Sequence, residues 1–93
     1  HSKNLHRHDF YKVTDSSLVE RVLQMQLSVF TLPECGWEMT MQILAVREEG
    51  MALLFTGSFP GFRPRWNRCV LSFVKTFCRS VLTMDLDKVC CHF

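Results

Sequence analysis

The sequence predicts an α+β domain, a small antiparallel sheet with two helices packed on one of its faces. Three observations predict it. Residues 37–46 and 51–57 are apolar stretches joined by Arg47-Glu48-Glu49-Gly50, the pattern of a central hairpin over 37–57. Apolar residues from Trp66 to Val81 recur at helical spacing. The chain has 93 residues, 47% hydrophobic and 22% charged, which is material for one core and not two.

Taken in chain order, residues 1–9 carry His1, His6 and His8 with Lys3 and Arg7 and little apolar content, so they read as a flexible basic arm. Residues 10–93 are then a single compact domain. Phe10-Tyr11-Lys12-Val13 is strand-like, and Thr14-Asp15-Ser16-Ser17 offers side-chain oxygens to the orphan amides of a helix start, with Ser17 and Glu20 at capping-box spacing. Leu18, Val19, Val22 and Leu23 follow at helical spacing. Residues 25–29 alternate with period two, yet also fit a helix continuing to Phe30, and residues 32–36 close the element with Pro33 and Gly36.

In the hairpin, Trp37, Met39, Met41 and Ile43 alternate with Glu38, Thr40 and Gln42, so one face is core and one is wet. Leu44-Ala45-Val46 is apolar on both faces, and Gly50 is expected to supply a positive φ in the turn. Residues 58–65 read as a loop. Trp66, Cys69, Val70, Phe73, Val74, Phe77, Cys78 and Val81 then form the apolar stripe of a helix. Residues 83–93 read as a last strand, with Asp85 and Asp87 at its entry and Val89, Cys91 and Phe93 on one side. The element order is β-α-β-β-α-β if the Met25 region is helical. It is α-β-β-β-α-β if that region is a strand and the Phe10 segment does not pair.

Composition narrows the function classes. No apolar run approaches the roughly 20 residues that span a bilayer, and no signal-peptide pattern is present. The chain opens on His1-Ser2 without an initiator Met, which suggests an excised or processed piece. Cys35, Cys69, Cys78, Cys90 and Cys91 are odd in number, lack framework spacing and include an adjacent pair, so a reducing intracellular setting, cytoplasmic or nuclear, is expected.

Charge is segregated along the chain. Between Gly50 and Met84 there is no acidic residue, whereas residues 9–49 hold seven carboxylates against Lys12, Arg21 and Arg47. Arg63, Arg65, Arg68, Lys75 and Arg79 all fall in the acid-free stretch. Within it, Phe59-Pro60-Gly61-Phe62-Arg63-Pro64-Arg65-Trp66 interleaves aromatics with arginines, the composition of an interface anchor. The same segment also reads as a rigid turn whose Phe and Trp tuck into the core and start the helix.

Catalytic chemistry finds no support. No Gly-x-Ser-x-Gly elbow, phosphate-cradling glycine loop or Cys-x-x-Cys pair is present, and neither His6/His8 nor Cys90-Cys91-His92 has zinc spacing. No metal or other cofactor is expected. The β-α-β-β-α-β order is shared with the RNA-recognition fold, but residues 49–55 lack its basic-Gly-aromatic pattern. The expectation is therefore a noncatalytic protein–protein interaction or assembly domain, binding another protein or a second subunit. Its contacts are expected at exposed apolar surface and at Phe59, Phe62, Arg63, Arg65 and Trp66, with Arg68, Lys75 and Arg79 steering. The alternative is a nucleic-acid-binding module using the basic loop and last helix.

Overall fold

Side-chain alternation along the central hairpin builds the core. In the computed structural model, which describes residues 5–26, 28–34, 37–84 and 91–92, β3 (Trp37–Arg47) and β4 (Gly50–Phe59) pair antiparallel around a turn at Glu48 and Glu49. Met39 and Met41 on β3, with Met51, Leu53, Phe55 and Phe59 on β4, point to one face and are buried. The hairpin expected from sequence is present and three strands extend it. β1 (Leu5–Val13) pairs with β4, β2 (Val29–Glu34) with β3, and β5 (Cys91–His92) with β1, every pair antiparallel, in the order β2-β3-β4-β1-β5.

Two helices cover the face carrying those methionines and phenylalanines. α1 (Ser16–Met25) buries Leu18, Val19 and Val22, and α2 (Arg63–Ser80) buries Trp66, Cys69, Val70, Phe73, Val74, Phe77 and Cys78. Helix and sheet meet through aromatic edges. The Phe55 and Phe73 rings lie 5.5 Å apart at 90°, and Phe30 of β2 lies 4.3 Å from Phe77. Each buried phenylalanine contributes roughly 1.5–3 kcal/mol of transfer free energy. The small α+β domain with both helices on one face is thus as the sequence predicts.

The element order differs from both versions expected. It is β-α-β-β-β-α-β, because the Phe10 segment pairs and a strand also follows the first helix. α1 ends at Met25, where Gln26 turns left-handed at φ 52° and donates its amide to the Val22 carbonyl at 2.9 Å. β2 then places Phe30 and Leu32 against the core and extends through Pro33 and Glu34, read from sequence as loop. Proline is tolerated there because β2 is an edge strand with one paired side. The α1 cap is Asp15, whose Oδ1 accepts from the Ser17 and Leu18 amides at 3.0 and 3.2 Å, so Ser17 is not the cap. Leu23 lies outside the apolar face expected for it and is exposed.

Residues 5–9 correct the expectation of a flexible arm over 1–9, for they are the first half of β1, paired with residues 55–59. Arg7 and Asp9 stand at core-side positions of this stretch, and their polarity masks the strand in the sequence. Arg7 Nη2 donates to the Gly61 carbonyl at 2.9 Å, and Asp9 accepts from Arg63. The Gly50 expectation also changes. Neither Gly50, Glu48 nor Glu49 has a positive φ; instead a Cβ on Gly50 would lie 2.4 Å from the Val13 carbonyl oxygen. Glycine is needed here for close strand approach. Of the strand expected over 83–93, Thr83 and Met84 are not strand, Thr83 turning left-handed at φ 51°, while Cys91 and His92 pair with Val13 and Lys12; Asp85, Asp87, Val89, Phe93 and the Cys35 and Cys90 thiols lie outside the described residues.

Candidate interaction surface

The aromatic and arginine segment does not form one exposed cluster. Phe59 and Trp66 are buried at 1% and 0% exposure, with ring centroids 5.7 Å apart, so they are core residues and not contact residues. The alternation of β4 carries Phe59 inward, and the helical stripe of α2 does the same for Trp66. Gly57 lies against the indole, and a Cβ there would crowd the Glu38 carbonyl oxygen at 3.0 Å. The Trp66 Nε1 is buried without a hydrogen-bond acceptor among the described residues.

Phe62, by contrast, is 85% exposed. Its carbonyl accepts the Arg65 and Trp66 amides at 3.0 Å each, so it stands at the N-terminus of α2 with Pro64 in the first turn. Arg63 Nη2 donates to Asp9 Oδ1 at 3.0 Å, tying α2 to β1, and the Arg65 guanidinium lies 5.9 Å from the Phe59 ring centroid. Arg65, Arg68, Ser72, Lys75 and Arg79 fall at i, i+3, i+7, i+10 and i+14, one line along the solvent side of α2. At 1.5 Å per residue this line runs about 21 Å. Arg68 and Arg79 are exposed and Lys75 half-buried, and among the described residues none of the three is in an ion pair.

The sheet face opposite the helices was largely missed by sequence reading. Its rows follow from the strand registers. His8, Thr56, Thr40 and Thr31 form one row; Phe10, Leu54, Gln42 and Val29 the next; Lys12, Ala52 and Ala45 the third. Phe10 is 66% exposed, Val29 56% and Leu44 45%. A β-bulge between Ile43 and Ala45 lifts Leu44 onto this surface. The two small residues Ala45 and Ala52, flanked by Phe10, leave a hollow of about 500 Å³ with Lys12, Arg47 and Glu49 at its rim. One signal was available: Phe10 is out of phase with Tyr11 and Val13, and Val29 with Phe30 and Leu32. At the doubly apolar Leu44-Ala45-Val46 end, Leu44 and Ala45 are outward while Val46 packs on the core.

A second hollow of about 340 Å³, lined by Ser17, Glu20, Arg21, Gln24 and Met84, is polar and mixed in charge. Among the described residues no three His, Cys, Asp or Glu side chains converge as metal ligands; the Cys90-Cys91-His92 cluster lies outside those side chains described. No described helix is long and apolar enough to cross a membrane. No protein-family model, curated protein or solved structure matches this chain.

Proposed function

We propose that this domain is a noncatalytic protein-interaction module that engages its partner through the sheet face its helices leave uncovered. The observation that carries the reading is the exposure of Phe10, Val29 and Leu44 on that face, with Phe10 lining a hollow of about 500 Å³. Exposed apolar side chains beside a concavity, rimmed by charge, are what partners anchor in. The core thiols Cys69 and Cys78 suit the intracellular setting proposed with it. The test is affinity purification followed by reconstitution with the purified partner. Phe10→Glu and Leu44→Glu are expected to weaken the complex at least tenfold, and Arg68→Glu to leave it near full strength. Equal loss in both sets, or loss only in Arg68→Glu, overturns the reading.

A second reading rests on the cationic line of α2. Arg65, Arg68, Lys75 and Arg79 face away from the sheet on a helix with no acidic residue, which suits a phosphate backbone. Phe59 and Trp66 being buried, only Phe62 remains exposed in the loop to stack on a base. Binding to mixed RNA and DNA at low salt, falling steeply as salt is added, is the expected behaviour; no binding at low salt eliminates it.

A further inference from the structure

We propose that the outer edge of β2 pairs antiparallel with β2 of a second copy of this chain, joining two five-stranded sheets into one continuous sheet. The contact is separate from the open face and leaves it accessible on both copies.

β2 stands at the end of the strand order, with β3 on one side and no strand among the described residues on the other. The Ile43 amide donates to the Ser28 carbonyl at 2.8 Å, which sets the phase of the ladder. Ser28, Phe30 and Leu32 turn their peptide groups toward β3, and Val29, Thr31 and Pro33 turn theirs outward. Among the described residues nothing bonds to the outward groups of Val29 and Thr31. Pro33 lacks only a donor that would have faced outward, so β2 runs through it. Edges are commonly guarded by charge, and Val29-Phe30-Thr31-Leu32-Pro33 has none.

Proline also selects the register. A two-fold axis through Phe30 sets Val29 of each copy against Thr31 of the other, and these two pairs exchange four backbone hydrogen bonds with every donor and acceptor matched. Sliding one step, to centre on Thr31, sets Val29 against Pro33, whose missing N–H leaves the Val29 carbonyl without a donor in both copies. In the first register Phe30 meets its own copy on the helix side. Each ring is half-buried, 4.3 Å from Phe77, and the cross-strand pair supplies the cover that the sheet margin denies it. Glu34, the one charged residue of β2, stands about 26 Å along the ladder from its copy, so like charges stay apart. A second copy also brings a strand already held extended by its own β3, whereas a disordered segment would have to order itself to make the same bonds. That difference commits the edge to the copy.

The test is amide hydrogen exchange measured across a sedimentation-equilibrium concentration series. A reversible dimer is expected, in which the Val29 and Thr31 amides slow at least tenfold relative to dilute protein, while the Phe30 and Leu32 amides, already directed at β3, change less. Thr31→Pro and, separately, Val29→Pro each delete an outward N–H that the monomer does not use. Each is expected to leave monomer at concentrations where the unaltered chain is dimeric, with unchanged circular dichroism; if either fails to fold, exchange in the unaltered chain decides alone. A chain monomeric throughout, a dimer whose Val29 and Thr31 amides exchange as they do in dilute protein, or protection gained only on adding another protein overturns self-pairing. Phe10→Glu should leave this dimer intact, because Phe10 stands three strands away on the open face, so failure here and failure of the open-face reading give different results.

Discussion

Phe10 and Tyr11 are neighbours in β1 with opposite fates. Tyr11 is 3% exposed, meets the Phe55 ring edge-on at 5.4 Å and donates its hydroxyl to Asn67 Oδ1 at 2.8 Å. Phe10, one residue earlier, stands on the open face. The comparison holds across the sheet. The covered face is continuous hydrocarbon from Met39 to Phe59 with two helices against it, whereas the open face mixes Thr31, Thr40 and Thr56 with Phe10, Leu54 and Val29. One face is therefore spent on folding. The other retains enough apolar surface for a partner and enough polarity to remain hydrated without one.

Substitutions on the two faces are expected to separate stability from association. The largest effect lies at Trp66→Ala, a loss of about 3–5 kcal/mol by denaturant unfolding, since the indole is enclosed on all sides. Trp66→Phe should cost well under that, because the indole N–H it removes has no acceptor among the described residues. Gly50→Ala is next, about 1–3 kcal/mol, because the added methyl meets the Val13 carbonyl oxygen and strands β1 and β4 must part. Asp15→Ala removes the acceptor for two α1 amides and is expected to cost about 1 kcal/mol. Phe10→Ser, on the open face, should change unfolding free energy by less than about 0.5 kcal/mol while altering association. If Phe10→Ser unfolds the domain as Trp66→Ala does, the two faces are not the separate surfaces described.

Periodicity made the covered face legible. The α2 stripe from Trp66 to Val81 and the alternation of Met39 and Met41 translate directly into burial, because a residue's phase in its element decides which layer it meets. The segments that misled are those where polar contacts substitute for apolar ones. Arg7 and Asp9 occupy core-side positions of β1 and bond to Gly61 and Arg63, so a paired strand reads in sequence as a basic arm. Phe59 and Trp66 looked like surface anchors because their arginine neighbours are charged, although β4 and α2 each place them inward. The open face was hard to read since it draws isolated residues from four strands, Phe10, Leu54, Gln42 and Val29, brought into line only by register.

The central claim, that the open sheet face is the contact surface, is tested most directly by following backbone amide resonances of the purified domain as it is mixed with its partner. The account predicts shifts gathered at Phe10, Lys12, Leu44, Ala45, Ala52 and Leu54, with Arg68, Lys75 and Arg79 still. Shifts along α2 with an unchanged open face would contradict it.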